Sequence, residues 1–356
     1  MKHKPQVIHH CILSDQGGTA MIARLIRNGL ELRGWRARLQ SEQDGSGRFC
    51  KKTAPNIAEP GSVFHIHSTL DWAGTLLSCR ELTQKPVVTL HDAALLTGGC
   101  VYPLECRKWR QGCTKCPRGY TDSHLYWKQK REAVNAVKPL LVSPSGWLAK
   151  MARSAFTDLK LRIVPNGVVA ETDLAPDVPG LPDFQGKLVL FVAHGGIKAG
   201  YKSGTKWLEI WERIKEAVPS ARALFIGNEN MGKARDVFQL PYLPNHAVRS
   251  LMRKADVLVY PSMADNHPLV ILEAFFSRLP VVAFAVGGIP EQIRPGETGV
   301  LVRPGDFEGL VQEAVQVLKH PGRSGAMAEQ AFQLARDKFS DDRMVDDYIR
   351  IYEGVL

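Results

Sequence analysis

The sequence predicts an α/β protein built from two Rossmann-like domains that face each other across a cleft. The chain has 356 residues, which exceeds the usual size of a single hydrophobic core. In both halves, short apolar runs alternate with helical patterns, as in βαβ units with a parallel sheet. Between the halves, proline, glycine and acidic residues replace this pattern at residues 171–186, which is typical of a linker. We therefore expect a first domain at residues 1–170 and a second domain at residues 187–338.

The first domain begins with a strand and a long amphipathic helix, and further strands and one helix lead to a cysteine-rich segment. Two more strands follow that segment. The carboxyl ends of parallel strands meet at one edge of the sheet, where ligands bind in such folds. In chain order the runs are QVIHHCIL, TAMIARLIRNGLELRG, RARLQ, SVFHIHS, TLDWAGTLLSCREL, KPVVTLHD, KPLLVSPS and LRIVPNGV.

The second domain repeats the alternation of strands and helices. Its last apolar run has the length and β-branching of a buried parallel strand. After Val302 the pattern is helical only, and residues 339–356 form a final helix. In chain order the runs before Val302 are KLVLFVAHG, TKWLEIWERIKEAV, ARALFIGN, AVRSLMRKA, DVLVYPS and PVVAFAV.

The composition is that of an ordinary globular protein, with 44% hydrophobic residues. No run approaches the roughly 20 apolar residues that span a bilayer. The amino terminus, MKHKPQVIHHCIL, is too short and too rich in histidine for a signal peptide. We therefore expect a cytoplasmic protein, with a peripheral position at the inner face of the membrane as the second alternative.

The net charge of +10 is concentrated in the first half of the chain. Residues 1–180 hold 25 Lys and Arg against 15 Asp and Glu, whereas residues 181–356 hold 21 of each class. A basic first domain suggests an anionic partner, either membrane phospholipid or a lipid-linked phosphate acceptor. Nucleic acid fits the charge equally well, and the third interpretation is that these side chains only keep the protein in solution.

Residues 265–302 carry the most information about function. Asp265 opens a loop, and Pro268 stands at the first turn of an apolar helix that carries Glu273 into the interior. A buried strand, PVVAFAV, follows, and Gly287-Gly288 then forms a turn before another short helix. A strand, a glycine turn and a helix N-terminus together predict a seat for an anion.

This segment resembles the donor-binding signature of the family-4 retaining glycosyltransferases, which have the GT-B fold. In that signature a first acid, a seven-residue gap and a second acid precede a GG-containing loop. Asp265 stands where glutamate is more common, and the D-N-x-P form resembles a polysaccharide-assembling subgroup. PNGV at 165–168 and HD at 91–92 are also family-like, so the resemblance covers nearly the whole chain.

The resemblance implies a hexosyltransferase. It would transfer a sugar, with retention, from a nucleotide diphosphate donor, UDP- or GDP-linked, to a growing surface polysaccharide. A lipid-linked acceptor is one form of that polysaccharide. In such enzymes the last helix crosses back to pack on the first domain. The family mechanism requires no metal and no dedicated nucleophile, because the leaving phosphate helps to deprotonate the acceptor.

The catalytic residues implied by the resemblance are His91, Lys198, Lys202 and Asp265. A diphosphate leaving group gathers negative charge as the glycosidic bond breaks, so cations are needed beside it. The family usually has an arginine and a lysine here. No arginine precedes Lys202 in this sequence, which leaves Lys198 as the substitute, although a lysine lacks the bidentate fork of arginine.

The donor itself is expected to contact both domains. Glu273 would accept hydrogen bonds from ribose hydroxyls, and its alternative role is that of an acid at a helix N-terminus. Asp265 and the N–H groups that follow it would hold sugar hydroxyls. Two glycines after the first strand would let backbone approach the donor phosphate or the acceptor. The predicted donor-binding residues are Gly17, Gly18, Asn166, Asn228, Asn266, His267, Pro268, Leu269 and Glu273.

Four of the seven cysteines lie in one loop, residues 97–117, after His91-Asp92. Their spacing is C-x5-C-x6-C-x2-C, and four clustered thiols in a cytosolic chain indicate structural zinc more than oxidation. Free or disulfide-paired cysteines and an iron–sulfur cluster are the alternatives. The candidate ligands are Cys100, Cys106, Cys113 and Cys116.

Other functional classes fit less of the sequence. A sugar-nucleotide epimerase with the same fold is disfavoured by the D-N-x-P…E and GGIP series. A basic, zinc-containing nucleic-acid-binding protein would leave Asp265 and Glu273 without a purpose, so no nucleic acid is expected as a partner. An inactive glycosyltransferase-like scaffold would bind the nucleotide without transfer.

Overall fold

The structure is a computed structural model that describes residues 5–43, 49, 61–170, 186–192, 200–227 and 236–356. It divides into two compact units. The first contains the chain up to Gly167 together with Asp341–Leu356, and the second contains Val168–Ser340. Among the described residues, no helix is both long enough and apolar enough to cross a bilayer.

The first unit is built around a parallel sheet of six strands in the order β2-β1-β3-β4-β5-β6. β1 and β3 pair in register along their central residues, and both strands are almost completely buried. Such burial on both faces requires helices on each side of the sheet. The strands are β1 (Gln6–Cys11), β2 (Arg36–Ser41), β3 (Val63–Ile66), β4 (Val87–Thr89), β5 (Leu140–Ser143) and β6 (Leu161–Ile163).

Five α-helices of the first unit lie among the described residues. They are α1 (Gly17–Leu32), α2 (Trp72–Ser78), α3 (Ser123–Val137), α4 (Gly146–Ala155) and, from the carboxyl end of the chain, α11 (Asp341–Glu353). The last helix packs on α1, where Arg33 forms ion pairs of 2.9 Å with Asp342 and with Asp346. Tyr348 and Tyr352 of α11 are fully buried, so this helix completes the core of the first unit.

Gly29 marks the closest approach of α1 and α11. A Cβ atom at this position would lie 2.4 Å from Cγ2 of Val345. We expect Gly29→Ala to lower the free energy of unfolding by ~1–3 kcal/mol, because the stiff valine cannot move away without displacing α11. Gly325→Ala is the matched control, since its Cβ would meet nothing within 4 Å and should add ~0.5–1 kcal/mol of helix propensity. Urea denaturation measures both variants, and a Gly29→Ala protein as stable as the control would contradict this packing.

The second unit also contains a parallel six-stranded sheet, in the order β12-β11-β10-β7-β8-β9. Its core includes the tightly packed rings of Phe191, Trp207 and Phe225. The strands are β7 (Leu188–Val192), β8 (Arg222–Ile226), β9 (Val237–Leu240), β10 (Val257–Tyr260), β11 (Val281–Phe284) and β12 (Val300–Val302). The helices are α5 (Trp207–Ala217), α6 (Asn245–Lys254), α7 (Leu269–Phe276), α8 (Ile289–Gln292), α9 (Phe307–Lys319) and α10 (Pro321–Lys338).

Both sheets reverse their strand order once, between β1 and β3 in the first unit and between β7 and β10 in the second. In open parallel sheets, ligands bind outside the carboxyl ends of the strands at such reversals. A ligand site in the first unit is therefore expected at the carboxyl ends of β1, β3 and β4. In the second unit it is expected at the carboxyl ends of β10 and β11.

Candidate active site

A lysine, a tyrosine and an aspartate lie together at the carboxyl end of β10. Tyr260 is the last residue of that strand, and its hydroxyl donates a hydrogen bond of 2.6 Å to Oδ2 of Asp265. The Nζ atom of Lys202 donates to the same carboxylate and contacts the tyrosine hydroxyl. The structure therefore brings together two residues that were predicted to be catalytic. It adds Tyr260, which the motif spacing does not reveal.

The backbone on either side positions Lys202. This residue ends a 3-10 turn, Gly200–Lys202, and the carbonyl of Tyr201 accepts from the backbone N–H of Met263 at 2.6 Å. The hydroxyl of Ser262 donates to that carbonyl at 3.2 Å. The ammonium group thus lies directly beside Asp265 in a partly buried pair. An incoming diphosphate would compete with this carboxylate for the same cation.

The two glycines after β11, which were predicted to be part of an anion seat, lie against the Asp265 loop. Gly287 has a φ of +57°, and a Cβ atom there would lie 1.7 Å from the carbonyl oxygen of Asp265. The N–H of Gly288 donates to that oxygen at 3.1 Å. The glycine turn therefore contacts the Asp265 loop directly, and one of its N–H groups is already engaged. The two glycines allow close contact between their own turn and the loop that begins at Asp265.

The loop between Asp265 and α7 is held from within. The N–H of Asn266 donates to Oδ1 of Asp265 at 2.9 Å, so this N–H is engaged in the structure rather than open to a sugar hydroxyl. His267 is buried, and its Nδ1 lies 3.1 Å from Nε2 of Gln292. The same amide donates to the carbonyl of Pro268 at 3.1 Å. Gln292, which the sequence reasoning missed, therefore fixes the shape of this predicted donor-binding loop.

Glu273 lies inside α7 and not at its start. The helix begins at Leu269, with Pro268 immediately before it, and no acidic residue lies in its first turn. The alternative interpretation of Glu273 as a helix N-terminal acid is therefore wrong. Its side chain accepts a hydrogen bond from Nδ2 of Asn245 in α6. Burial raises the pKa of Glu273 to about 7, although the positive charge of Arg249 and the bond from Asn245 oppose that shift.

In the first unit, His91 follows β4 and contacts another histidine. Its Nε2 atom lies 3.0 Å from Nδ1 of His67, and the two rings are stacked. Burial lowers the pKa of His91 to about 3, so the imidazole is neutral near pH 7. Oδ1 of Asp92 accepts from the N–H of Ala94 at 2.7 Å. Burial raises the pKa of Asp92 to about 6, against the opposing effects of that N–H and of Lys130.

A second buried cluster in the first unit surrounds Glu42, which the sequence reasoning also missed. The Nε2 atom of His10 lies 2.9 Å from Oε1 of Glu42. The hydroxyl of Thr69 donates to the same oxygen at 2.5 Å, and the N–H of Leu70 donates to Oε2 at 3.0 Å. Glu42 thereby ties the segment after β2 to the segment after β3.

Three predicted donor-binding residues lie in the first unit. Gly17 is the first residue of α1, has a φ of +82°, and has open space where a Cβ would stand. Gly18 follows it within the helix. Asn166 is buried, and its carbonyl accepts from Nη2 of Arg343 at 3.3 Å. Two further predicted residues, Lys198 and Asn228, lie outside the described residues.

The thiols of the cysteine-rich loop are free, and backbone donors hold two of them. The N–H of Gly98 donates to Sγ of Cys113 at 3.2 Å. The N–H groups of Arg118 and Tyr120 donate to the sulfur of Cys116. Such N–H···S bonds favour a thiolate, which is the form that binds metal. Burial nevertheless raises the pKa of Cys113, whereas the pKa of Cys116 is lowered.

The four sulfurs are more widely spaced than in a closed metal site. Within the part of the chain that the structure describes, one group of three residues has all its ligand atoms within 4.8 Å of one another, and it consists of histidines: His9, His65 and His67. The cysteines form no such group. The predicted zinc site therefore stays a prediction.

The part of the chain that holds this site is similar to known proteins. Residues 187–320 match the family model described as glycosyl transferases group 1. This match lies within the second unit. The matched range contains Lys202, Tyr260, Asp265 and Glu273, so the site described above lies within it. These comparisons support glycosyltransferase activity for the chain.

The curated relatives differ in how much of the chain they cover. The chain is 25% identical, over 317 residues, to the putative colanic acid biosynthesis glycosyl transferase WcaC of Escherichia coli, covering 82% of this chain and 76% of that protein. It is 29% identical, over 153 residues, to N-acetyl-alpha-D-glucosaminyl L-malate synthase of Bacillus anthracis, covering 43% of this chain. The chain spans 36% of the length of that synthase.

Solved structures confirm the predicted fold class. Sucrose-phosphate synthase from Thermosynechococcus elongatus aligns with a TM-score of 0.73 and 15% identity, covering 99% of both chains. Anabaena HepE in complex with UDP aligns with a TM-score of 0.68 and 14% identity, covering 98% of this chain and all of HepE. At this level of identity the similarity shows the fold alone. The fold is that of GT-B glycosyltransferases, with two Rossmann-like α/β domains.

Proposed function

We propose that this protein transfers a sugar from a nucleotide diphosphate donor to a growing polysaccharide, with retention of configuration. The observation that carries the proposal is the Lys202–Tyr260–Asp265 cluster, which lies with the buried acid Glu273 in the range that matches the glycosyltransferase model. HepE has been crystallised with UDP and with UDP-glucose. WcaC carries a colanic acid biosynthesis description. Both descriptions fit a hexosyl donor and a surface glycan.

In the proposed reaction, the bond from the sugar to the β-phosphate breaks, and the acceptor oxygen bonds to the same carbon on the same face. The acceptor proton passes to the departing phosphate oxygen. Lys202 would move part of its charge from Asp265 to the diphosphate, where negative charge develops. Asp265 and Tyr260, released from the lysine, would then accept hydrogen bonds from sugar hydroxyls. Glu273 would bind the ribose.

The acceptor is proposed to be lipid-linked, and the basic first unit to contact the anionic membrane that carries it. A cavity of about 690 Å³ in this unit supports the proposal, because both cationic and apolar side chains line it. Two aspartates, Asp158 and Asp347, reduce its charge. The cationic residues are Lys85, Lys138, Lys160, Arg162 and Arg350.

A nucleotide panel tests the proposed donor. The purified protein is titrated with UDP, GDP, ADP, CMP and dTDP while its melting temperature is followed. We expect one base to stabilise the protein by ~2.7 kcal/mol at about 100 times its dissociation constant. The matching nucleotide sugars are then incubated with an acceptor, and NMR of the anomeric proton shows whether configuration is retained. Binding without transfer would favour the inactive scaffold, and no binding at all would contradict the proposal.

Structural zinc in the cysteine-rich loop is proposed as a separate component, supported by the N–H···S bonds to Cys113 and Cys116. Elemental analysis of the purified protein is expected to find about one zinc per chain. Cys113→Ser with Cys116→Ser should release the metal and lower the melting temperature, because structural zinc contributes directly to folding. Cys79→Ser is the control, since this buried thiol lies outside the loop. A wild-type protein without metal would end the proposal.

A further inference from the structure

Exposed apolar side chains are concentrated in the cysteine-rich loop and at the start of α3. Five of the twelve exposed large hydrophobic side chains that the structure describes lie within residues 101–126. A concentration of this kind on a protein surface marks an interaction site. These five side chains, which we call the loop surface, are Val101, Leu104, Tyr120, Leu125 and Tyr126.

The segments that carry the loop surface pack against each other. A Cβ atom at Gly99 would lie 2.8 Å from Cδ1 of Tyr120, so the tyrosine ring rests directly on the glycine. A Cβ atom at Gly98 would lie 2.1 Å from the carbonyl oxygen of Ser123, the first residue of α3. The two ends of the loop therefore meet at the start of α3. The ring of Tyr120 is supported from below, and this residue still has 42% of its surface exposed.

The loop is also held from the interior of the first unit. Trp109 is buried, and its carbonyl accepts a hydrogen bond of 2.7 Å from Nε1 of Trp127 in α3. Three residues further along that helix, Nζ of Lys130 donates to the carbonyls of Ala94 and Thr97 at 2.7 and 3.0 Å. These bonds fix the backbone beneath the exposed side chains. A partner that binds there has less conformational entropy to remove.

The charge around the loop surface is positive. Residues 101–128 hold six Lys and Arg against two Asp and Glu. All six cationic side chains are exposed, among them Arg107, Arg110 and Lys115. A partner that combines apolar surface with negative charge therefore complements this part of the protein.

The position of the loop distinguishes between anionic partners. The loop follows β4, so it lies at the carboxyl edge of the sheet, where the ligand site of the first unit is expected. The cavity that we propose to face the membrane lies at the opposite edge, because Lys85, Lys138 and Lys160 precede β4, β5 and β6. A flat bilayer against the amino edge does not reach the carboxyl edge. The loop surface is thus left for a different anionic partner.

We propose that the loop surface binds the acceptor glycan, and that this glycan carries carboxylate groups. A pyranose ring has apolar C–H faces, which pack on an aromatic ring such as that of Tyr120. The carboxylate of a uronic acid pairs with the guanidinium and ammonium groups around it. That the partner is the acceptor rests on the function proposed above, whereas the binding of an acidic glycan at this surface does not.

Three matched oligomers test the chemistry of the partner in the absence of any nucleotide. Tetragalacturonic acid has sugar rings and carboxylates, maltotetraose has only the rings, and tetraglutamate has only the carboxylates. NMR titration of each ligand with the purified protein gives its dissociation constant. We expect tetragalacturonic acid to bind at least about 10-fold more tightly than either control, because it engages the rings and the cations together. No binding of tetragalacturonic acid, or equally tight binding of tetraglutamate, would overturn the proposal.

The ring of Tyr120 can be tested without changing the charge. Tyr120→Ala is expected to weaken the binding of tetragalacturonic acid about 10-fold, whereas Tyr120→Phe keeps the ring and should bind like the wild type. Gly99→Ala should also weaken binding, because its methyl group would push the ring out of its position. If Tyr120→Ala binds the oligomer as tightly as the wild type, the glycan does not lie on this surface.

A charge variant and its control test the cations. Arg107→Gln with Lys115→Gln should weaken the binding of tetragalacturonic acid about 5-fold and make it less sensitive to salt. The matched control is Arg323→Gln with Lys338→Gln, which makes the same change of net charge at exposed positions of α10 in the second unit. Equal losses in the two double variants would show that only the net charge matters, and the proposal would be wrong.

Vesicles of phosphatidylglycerol test a bilayer as the alternative occupant. We expect Tyr120→Ala and the loop charge variant to bind these vesicles as the wild type does. If both variants instead lose vesicle binding, and tetragalacturonic acid does not compete with the vesicles for the wild type, the loop surface faces a membrane and not a glycan.

The nucleotide panel separates this proposal from the proposed function. A protein that binds tetragalacturonic acid through Tyr120 but binds no nucleotide would contradict the proposed transfer and leave the glycan surface in place. A protein that binds a nucleotide sugar but not tetragalacturonic acid would keep the proposed transfer and overturn the acidic acceptor.

Discussion

Gly287→Ala is expected to destabilise the second unit by ~3 kcal/mol or more and to abolish the binding of a nucleotide sugar. The added Cβ would lie 1.7 Å from the carbonyl oxygen of Asp265, which is backbone and cannot rotate away. The φ of +57° adds ~1–2 kcal/mol for a residue with a side chain. Relief of the clash would separate the glycine turn from the loop that holds Asp265. Urea denaturation and calorimetric titration with a nucleotide sugar measure the two effects.

Gly296→Ala isolates the contact from the backbone strain. Gly296 has a φ of +78° in the same unit, but a Cβ there would meet nothing within 4 Å. This control should cost only ~1 kcal/mol and should bind the donor normally. If both variants lose stability equally and both still bind, the contact between Gly287 and Asp265 has no role in the site.

The alternation of strands and helices predicted the fold class, because a period of two or of 3.6 residues is visible in one local segment. Segments without a clean period were missed. The helices α3 and α4 and the strand β9 were not identified, and the burial of α3 shows the reason. Few of its residues are buried, so its apolar stripe is weak in the sequence.

The residues of the candidate site were predicted where they stand in a recognisable motif, as Lys202, Asp265 and Glu273 do. The spacing of Asp265 and Glu273 is local and could be read directly. Asn245 reaches Glu273 from another helix, and Gln292 reaches His267 from the end of α8. Their roles depend on the packing of elements that are far apart in sequence, which no local pattern encodes.

The histidines of the first unit show the same limit. HH at 9–10, HIH at 65–67 and HD at 91–92 are plain in the sequence. Their contacts follow from the strand order β1-β3-β4 and from the register of His9 with His65. One sequence alone does not establish which strands are neighbours. His91 could therefore be selected as a candidate from the sequence, but its contact with His67 could not be predicted.

Glu273→Gln is expected to act in opposite directions on stability and on donor binding. Burial raises the pKa of the folded-state carboxyl from 4.5 to about 7. Between those values the folded protein binds more protons than the unfolded chain, so the contribution of Glu273 to stability falls as the pH rises through this window. Glutamine cannot ionise. At pH 8 the ligand-free variant should therefore be more stable than the wild type, by ~2 kcal/mol.

Donor binding should change in the other sense, because an ionised carboxylate accepts stronger hydrogen bonds from ribose hydroxyls than an amide does. We expect the affinity of the wild type for its nucleotide sugar to rise between pH 6 and pH 8, as Glu273 loses its proton. Glu273→Gln should bind ~10–100-fold more weakly at pH 8 and should show no such rise. A nucleotide sugar is the proper ligand, since its diphosphate has no group that titrates in this range.

Asn245→Ala is the matched control for this pair of measurements. It removes the hydrogen bond to Glu273 but leaves the carboxyl in place, so the rise of affinity with pH should persist and shift to higher pH. If Glu273 contributed only to folding, its substitution would lower the stability of the protein and leave donor binding unchanged. If Glu273→Gln instead makes the protein more stable and weakens donor binding, the buried charge of Glu273 destabilises the fold but is needed to bind the ligand. If Glu273→Gln binds the nucleotide sugar as tightly as the wild type at pH 8, Glu273 does not belong to the donor site.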